Sequence, residues 1–412
     1  MPTSTSRLLL LLPTTTYRTE AFVDAASKLG VELVCASERP SALQELAPES
    51  LVTLDFKDPV ASSETVARFA RRRPIDAVVA VDDLTTVVAA AISERLGLKA
   101  NSLSAARAAR DKHTMRRCLA STGVPVPRFR LVKLAGDPGA LAEGVEYPCV
   151  LKPLMLSASR GVIRANDARE FVAAFRRITA ILEDAVSAPA DEVRQLLVEE
   201  FIPGREVALE GLLVGGTLHV LALFDKPDPL DGPFFEETLY VTPSRLPATG
   251  QDRIAAVTRD ACSALGLTEG PIHAELRIND RGPFVLEVAA RSIGGLCART
   301  LRFGTGLSLE ELILCHALGR PLESLERERR SAGVMMIPIP RAGRLTAVRG
   351  IEEAAAVDAI EEVAITMHPG QEVVPLPEGW QYLGFIFARG ETPAAVEEAL
   401  REAHTRLHFD IE

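Results

Sequence analysis

The sequence predicts a multidomain protein in which an α/β unit built on a parallel sheet is followed by mixed α+β units. The 412 residues are too many for one hydrophobic core, since domains typically hold roughly 100–200 residues. Short apolar runs alternate with helical stretches over residues 8–101, which is the pattern of right-handed βαβ crossovers. Hairpin-rich patterns follow, and a charged run at residues 326–330 precedes a last small unit. We therefore expect domains at residues 1–108, 109–330 and 331–412.

The composition excludes several classes of protein. With 47% apolar and 25% charged residues, the chain is neither disordered nor fibrous. The net charge of −10 offers no basic surface for a phosphate backbone, so nucleic acid is not expected as a partner. The first apolar run, residues 8–12, is too short for a signal-peptide core, and no run of about 18 apolar residues exists. The six cysteines form no C-x-x-C pair, which favours reduced thiols. We expect a cytoplasmic protein without a membrane segment.

The first unit is predicted to contain alternating strands and helices. The strands are expected at residues 8–12, 31–36, 51–54 and 77–81, and the helices at residues 17–29, 63–73 and 84–96. No glycine-rich loop follows the first strand, where residues 13–17 read Pro-Thr-Thr-Thr-Tyr, and this argues against a dinucleotide site. These threonines either cap the following helix or face a substrate. Asp82 and Asp83, after the last strand, either cap the next helix or reach a substrate amine.

A lysine follows an apolar strand in the middle of the chain. The strand at residues 147–153 delivers Lys152 to its own end, directly before a loop of small and hydroxyl residues at 154–162. A fixed cation beside accessible backbone N–H groups is the arrangement that a phosphate-binding site needs. A solvated lysine at a strand end is the alternative. A helix at residues 167–182 and a polar surface connection at 183–192 are expected to follow.

The segment at residues 197–207 combines an apolar strand, two glutamates, a Pro-Gly turn and Glu206. Such a backbone hinge can offer N–H and C=O groups to a purine edge, while a nearby carboxylate accepts hydrogen bonds from ribose hydroxyls. The segment therefore indicates a nucleotide-binding hinge. An ordinary strand end with solvated acidic residues is the alternative.

Two alternating apolar and polar runs flank a turn and predict an antiparallel hairpin centred on Arg281. In that register Glu275 faces Glu287 across the strands, with Cβ atoms about 4.5–5.5 Å apart. Opposed carboxylates repel unless a cation bridges them, and Mg²⁺ or Mn²⁺ suits such oxygen ligands. His273 and Arg291 project from the same face. The alternative is a solvated face, since a hairpin register can slip by one residue.

Taken in order, these pieces resemble the ATP-grasp superfamily of carboxylate–amine ligases, over roughly residues 1–320. They include a helix at residues 110–120 that carries Lys112, the strand ending in Lys152, the small-residue loop, the hinge and the glutamate hairpin. Other motifs are most similar to the L-amino-acid ligases, the group of bacilysin-type and carnosine-synthase-type enzymes. They lie at residues 224–227, 232–237, 243–244, 291–295 and 381–388.

This resemblance implies an ATP-grasp fold with a Rossmann-like N-terminal domain and a small α+β C-terminal domain, and it implies ATP with Mg²⁺ or Mn²⁺. The implied reaction joins a small-molecule carboxylate to an amine through an acyl-phosphate and releases ADP and phosphate. The resemblance implies roles for twelve residues. They are Lys112 and Lys152 at the phosphates, Ser157, Ser159 and Gly161 in the closing loop, Glu199 and Phe201 at the adenine, Glu206 at the ribose, Glu275 and Glu287 at the metal, Arg291 at the transferring phosphoryl group and acyl-phosphate, and Lys226 facing the active site.

The sequence departs from the family pattern at Ala289, where an asparagine is usual, so one oxygen ligand of a second metal is missing. The loop at residues 157–161 is also poor in glycine, and Arg160 is expected to supply charge there. A solvated loop position is the alternative for Lys226. Two other functions stay open: a nucleotide-pathway or bicarbonate-using ligase of the same fold, and an ATP-binding regulator without turnover. A homodimer is the default expectation from symmetry base rates.

Overall fold

The computed structural model describes residues 6–41, 44–184, 194–322 and 324–412, so most of the connection predicted at 183–192 lies outside the described residues. The first unit consists of β1 (Arg7–Leu11), α1 (Thr19–Lys28), β2 (Glu32–Ser37), β3 (Leu51–Thr53), α2 (Pro59–Ala70), β4 (Ala77–Ala80) and α3 (Asp83–Leu96). The four strands are parallel, as the sequence predicts, and they lie in the order β3-β2-β1-β4. The leucines of β1 are fully buried because α1 covers one face of the sheet while α2 and α3 cover the other.

The helix predicted at residues 110–120 is interrupted near its start. Helix α4 (Leu103–Arg110) ends where α5 (Lys112–Ser121) begins, and Asp111 lies between them. The Asp111 carboxylate accepts a hydrogen bond from the Thr114 N–H at 2.7 Å and caps α5. Arg110 and Lys112 therefore flank a helix junction instead of sharing one helix.

A small antiparallel sheet follows. Its elements are β5 (Phe129–Lys133), α6 (Pro138–Glu143), β6 (Cys149–Pro153), β7 (Ile163–Ala165), α7 (Ala168–Asp184) and β8 (Gln195–Glu200), with strand order β5-β8-β6-β7. Val150 on β6 pairs with Glu199 on β8. Lys152 is two residues beyond Val150, so it lies on the same face of the sheet as a diagonal neighbour of Glu199.

A large sheet of eight strands forms the rest of the framework. Its strands are β9 (Arg205–Val214), β10 (Thr217–Lys226), β11 (Leu239–Thr242), β12 (Gly270–Asn279), β13 (Gly282–Ala289), β16 (Ser331–Ile337), β18 (Ile360–Ile365) and β20 (Gly384–Gly390). They lie in the order β13-β12-β9-β10-β11-β16-β20-β18. Strands β16, β18 and β20, which follow residue 330, therefore continue the same sheet through the β11–β16 pairing.

The remaining helices and strands lie outside the eight-stranded sheet, and the strands among them form two smaller sheets. They are α8 (Ala248–Leu265), β14 (Arg302–Phe303), β15 (Leu307–Ser308), α9 (Leu309–Ala317), β17 (Gly343–Arg349), α10 (Ile351–Ala355), β19 (Glu372–Val373), α11 (Pro393–Arg406) and β21 (His408–Ile411). Within the described ranges, every helix is too short or too polar to cross a bilayer.

The β12–β13 hairpin has the predicted pairing at its functional end and a different one at its turn. Asn279 pairs with Gly282, so the turn has two residues and is not centred on Arg281. A bulge then shifts the register by one residue between Leu276 and Glu275, and Glu275 pairs with Glu287. The predicted glutamate pair is confirmed, but the uninterrupted register used to predict it was wrong.

The turn before β9 depends on a glycine. Gly204 has φ of +121°, and a Cβ atom there would overlap the Ile278 carbonyl oxygen and lie 2.9 Å from the Ile278 carbonyl carbon. Any side chain at this position would push the turn away from β12. Gly204 is therefore required to bring the start of β9 against the hairpin.

We predict that Gly204→Ala lowers the free energy of unfolding by about 2–4 kcal/mol, since both the backbone angle and the contact with β12 become unfavourable. Gly215→Ala is the matched control: Gly215 has φ of +56°, but open space surrounds its Cβ position. The control should cost about 1 kcal/mol. Chemical denaturation of both variants measures the difference, and equal losses would contradict the argument from close approach.

Candidate active site

A cavity of about 340 Å³ lies between the parallel sheet, the small antiparallel sheet and the large sheet. Gly161 and Lys226 are not among the residues that line it. The other ten predicted site residues line the cavity: Lys112, Lys152, Ser157, Ser159, Glu199, Phe201, Glu206, Glu275, Glu287 and Arg291. The sequence patterns therefore converge on one place in the fold.

The loop that follows β6 is held by two cations from the α4–α5 junction. Arg110 Nη2 donates to the Met155 carbonyl oxygen at 2.5 Å, and Lys112 Nζ donates to the Leu156 carbonyl oxygen at 2.9 Å. Lys112 Nζ also lies 3.5 Å from Glu287 Oε2. Lys112 thus links the loop to the hairpin that carries the paired glutamates.

The loop itself has an unusual backbone. Ala158 and Ser159 have φ values of 54° and 55°, a region that non-glycine residues seldom occupy outside constrained sites. Their N–H groups have no hydrogen-bond partner among the described residues, so these donors remain available to an anion. Gly161 has φ of +71° and donates its N–H to the Pro377 carbonyl oxygen at 2.9 Å.

The Glu199 side chain belongs to a buried ion-pair network. Its carboxylate lies 2.8 Å from Lys152 Nζ and accepts a hydrogen bond from Arg116 Nε, while Arg116 also donates to the Leu286 carbonyl oxygen on β13. Burial would raise the pKa of Glu199, but the charges of Arg116 and Lys152 outweigh burial and lower it. The carboxylate is therefore bound within the protein, and residues 200–202 line the cavity beside it.

Phe201 lines the cavity between two cations. The Arg164 guanidinium lies 4.0 Å from the ring centroid and the Arg277 guanidinium lies 5.0 Å from it. These contacts fix the ring at the wall of the cavity. Arg277 also donates to Glu206 Oε2 at 3.0 Å. Arg277 therefore contacts both Phe201, predicted to lie at the adenine, and Glu206, predicted to bind the ribose.

Lys226 lies at the centre of a group of carboxylates. Its ammonium donates to Glu206 Oε1 at 2.8 Å, to Glu275 Oε1 at 2.9 Å and to Glu237. Burial lowers the pKa of Lys226, but the three glutamates outweigh burial and raise it well above its ordinary value. Burial and the Glu275 charge raise the pKa of Glu237 to about 7, although Lys226 opposes them. Lys226 is therefore a buried cation, and the alternative of a solvated loop lysine was wrong.

His273 extends this network along β12. Its Nδ1 pairs with Glu210, and its Nε2 lies 3.4 Å from Glu275 Oε1. Burial lowers the pKa of His273, but the Glu210 carboxylate outweighs burial and raises the pKa to about 9. Glu210 Oε2 also accepts the Ile293 N–H at 2.9 Å, which anchors the chain just beyond Arg291.

Two arrangements of carboxylates could hold a metal ion. Glu206, Glu237 and Glu275 bring their oxygens within 4.8 Å of one another, but the Lys226 ammonium already donates to all three. An ammonium group and a divalent cation cannot occupy the same position among these carboxylates. Glu287 is half-buried at the cavity wall, and among the described residues its carboxylate pairs only with Lys112, at 3.5 Å. Glu275 and Glu287, which pair across the strands and bring hard oxygen donors to the cavity wall, remain the predicted magnesium ligands.

Arg291 is fixed by the N-terminal unit. Its Nη2 donates to Asp83 Oδ2 at 2.8 Å, and its Nη1 donates to the Ser292 carbonyl oxygen at 2.9 Å. Ser157 Oγ donates to the same Asp83 oxygen at 3.3 Å. Burial would raise the pKa of Asp83, but the charges of Arg291, Arg110 and Lys112 outweigh burial and lower the pKa below its usual range.

The sequence interpretation missed three charged residues at the site. Arg116 lies four residues after Lys112, and this i,i+4 spacing was the available signal that both face one side of α5. Glu237 lies inside a motif used only for the family resemblance. Arg277 lies on β12, and its contact with Glu206 comes from strand pairing that local sequence does not reveal.

Three family models match separate stretches of the chain. Residues 23–98 match the family model of the ATP-grasp N-terminal domain, residues 145–300 match that of the ATP-grasp domain, and residues 335–412 match that of L-amino acid ligase C-terminal domain 2.

The proteins similar to the chain include one solved L-amino acid ligase and two curated ligases. An L-amino acid ligase from Bacillus licheniformis superposes with a TM-score of 0.80 and 27% identity, covering 99% of both chains. Dapdiamide A synthase of Enterobacter agglomerans is 28% identical over 73% of this chain and 71% of its own. Alanine–anticapsin ligase of Bacillus subtilis is 27% identical over 61% of this chain, and the match spans 56% of that enzyme.

A more distant structure shares the fold alone. A carboxyaminoimidazole ribonucleotide synthase from Aspergillus clavatus, solved in complex with ATP, has a TM-score of 0.72 and 18% identity. The fold and the three domain matches define a class, the ATP-grasp proteins. The chain contains the ATP-grasp N-terminal domain, the ATP-grasp domain and the L-amino acid ligase C-terminal domain 2, and the ligases to which it is similar are ATP-dependent enzymes that form C–N bonds. The predicted family, fold, enzyme class and cofactors are confirmed.

We predict that Lys152→Met weakens ATP binding and also lowers the free energy of unfolding by about 1–3 kcal/mol, because one oxygen of buried Glu199 loses its partner. Adding Glu199→Gln should recover part of the stability but not the ATP affinity. Lys133→Met, at an exposed position of β5, is the control and should change neither. Calorimetric ATP titration and thermal unfolding separate the two effects. Unchanged ATP affinity in Lys152→Met would mean that Lys152 contributes only to the ion pair with Glu199.

Proposed function

We propose that the chain is an ATP-dependent ligase that forms an amide bond between an amino acid, or a similar carboxylate, and an amine. One observation carries the proposal: cationic and hydroxyl groups from separate elements converge on the single carboxylate of Asp83. Arg291 and Ser157 contact it directly, and the charges of Arg110 and Lys112 add to their effect. The site is therefore arranged to neutralise an anion, which is the main catalytic requirement of phosphoryl transfer.

The triphosphate of ATP is proposed to lie along the loop after β6. Lys112 and Lys152 supply fixed positive charge, and the unpaired N–H groups of Ala158 and Ser159 supply donors. The adenine is proposed to meet the backbone of residues 200–202 beside Phe201. Glu206, whose carboxylate lines the cavity, is the candidate acceptor for a ribose hydroxyl.

Glu275 and Glu287 are proposed to hold the magnesium. When bound, the ion supplies neutralisation and orientation of phosphate oxygens. Glu287 also keeps Lys112 near the loop, and Lys226 keeps one oxygen of Glu275 in place. These side chains position charges before the substrates arrive, which reduces reorganisation during the reaction.

The proposed reaction has two displacements. A carboxylate oxygen of the first substrate attacks the γ-phosphorus, the bond to ADP breaks, and an acyl-phosphate forms. The amine nitrogen of the second substrate then attacks the carbonyl carbon, the bond to phosphate breaks, and the amine loses a proton. Among the residues that the structure describes, Asp83 and Ser292 use two of the five N–H donors of the Arg291 guanidinium, so three remain for the transferring phosphoryl group.

Amino acids are the favoured substrates for two reasons. The last domain matches the L-amino acid ligase C-terminal domain, and the solved L-amino acid ligase aligns over nearly the whole chain. The cavity wall beyond Arg291 is partly apolar, which suits an uncharged side chain; it includes Tyr17, Cys297, Met336, Trp380 and Tyr382. A bicarbonate-using ligase has no comparable need for that wall. Cytoplasmic location and a homodimer remain predictions from the sequence.

The direct test is release of ADP and phosphate in the presence of Mg²⁺, ATP and pairs of amino acids. We expect release only when both a carboxylate and an amine are present, with an amide of the two detected by mass spectrometry. ATP binding without turnover for any pair would instead favour a regulator, and turnover with bicarbonate in place of an amino acid would favour the other ligase class.

We predict that Arg291→Lys lowers kcat at least about 10²-fold with an active amino-acid pair, because an ammonium cannot engage two oxygens in the fixed geometry of a guanidinium. The ATP dissociation constant should change little, since the adenine hinge and Lys152 lie elsewhere. Arg281→Lys, at an exposed turn, is the matched control and should retain normal kcat. A near-normal rate in Arg291→Lys would remove the bidentate role.

A further inference from the structure

A segment of the C-terminal domain touches the loop proposed to bind phosphates. Residues 374–381 lie between β19 and β20 of the C-terminal domain, yet their hydrogen bonds reach the small antiparallel sheet. The Pro377 carbonyl oxygen accepts the Gly161 N–H at 2.9 Å, and the Glu378 carbonyl oxygen accepts from Arg160 Nε at 2.9 Å. Two consecutive residues of the segment therefore hold two consecutive residues of the loop.

The third contact is a salt bridge between Glu378 and Arg177. The Glu378 carboxylate accepts from Arg177 Nε at 2.6 Å and from Arg177 Nη2 at 2.9 Å, a two-point arrangement of the kind that fixes geometry. Arg177 lies on α7, which packs behind the loop, and its guanidinium lies 4.9 Å from the centroid of the Phe234 ring. The segment is thus attached to both the loop and the helix that supports it.

The geometry of Gly161 leaves the loop little freedom at this point. Its φ of +71° is a left-handed conformation, and a Cβ atom would lie 2.8 Å from Pro153 Cγ. The loop therefore passes close to the end of β6 with its N–H directed at Pro377. Next in the segment, Trp380 lines the active-site cavity and also a second cavity of about 370 Å³ that includes Arg160, Arg177 and Glu378.

We infer that residues 374–381 are a strap that fixes the phosphate loop relative to the metal-binding strands, with Glu378 and Arg177 as the positioning pair. The inference rests on the proposed function for the identity of the loop. The strap follows β19 and leads into β20, and β20 belongs to the same large sheet as the strands of Glu275 and Glu287. Ordering a loop costs conformational entropy, so a loop already held in place binds ATP more tightly than a free one.

The chain provides its own reporter, because Trp380 is its single tryptophan and lies in the strap. We propose to measure ATP binding from Trp380 emission, with Mg²⁺ and ATP but without amino acids, in the full chain. The variants are Glu378→Arg, Arg177→Glu and the double exchange, with Glu378→Gln as a milder change. Asp410→Arg is the matched control, since Asp410 and Glu378 side chains are both 41% exposed and each pairs with an arginine.

Each single charge reversal should raise the ATP dissociation constant at least about fivefold, and Glu378→Gln about threefold, the scale of a partly exposed ion pair plus repulsion. The double exchange should return it to within about twofold of the unaltered chain, with a matching return of the Trp380 emission maximum. With an active amino-acid pair, KM for ATP should rise while kcat at saturating ATP stays within about twofold. The Asp410→Arg control should change none of these.

An ATP dissociation constant in Glu378→Arg that equals that of the unaltered chain, or a double exchange no better than the single variants, would overturn the strap. These outcomes do not depend on ligation. If no amino-acid pair releases ADP, the proposed function fails while the binding series still decides whether residues 374–381 set the affinity for ATP.

Discussion

A single buried ammonium group constrains the centre of the large sheet. Lys226 lies within hydrogen-bond distance of Glu206 on the neighbouring strand, of Glu275 one strand further and of Glu237, so three carboxyl groups share one positive charge. Arg277 takes the second oxygen of Glu206. Removing one partner from such a buried group costs about 3–5 kcal/mol, because another charge is left unpaired. The side chains around the cavity are therefore held in position by the requirement that these charges stay paired.

This requirement divides the carboxylates into two groups. Glu206 and Glu237 are satisfied inside the protein, whereas Glu287, on the edge strand, faces the cavity with one long contact to Lys112. Glu275 belongs to both groups, because it accepts a hydrogen bond from Lys226 and also pairs with Glu287 across the hairpin. The hairpin bulge places Glu287 opposite Glu275, and both glutamates line the cavity. Arg291 is held in a comparable way from the opposite side, by Asp83 of the N-terminal unit.

The features that could be predicted from sequence depend on local pattern. Alternating residues revealed the hairpin and the Glu275–Glu287 pair, and the end of an apolar strand revealed Lys152. The bulge could not be predicted, since no residue marks it, and the turn was consequently misplaced. The partners of Glu199 and the pairing of β11 with β16 were also missed. Both depend on residues distant in sequence, such as Arg116 with Glu199, whose proximity arises only when strands and helices pack.

Anomalous scattering from crystals grown with Mn²⁺ and a non-hydrolysable ATP analogue tests the central claim most directly, because it locates the metal among the carboxylates. The account predicts a peak within coordination distance of Glu275 and Glu287, with Lys226 still contacting Glu206 and Glu237. A peak among Glu206, Glu237 and Glu275, with the Lys226 ammonium displaced, would contradict it.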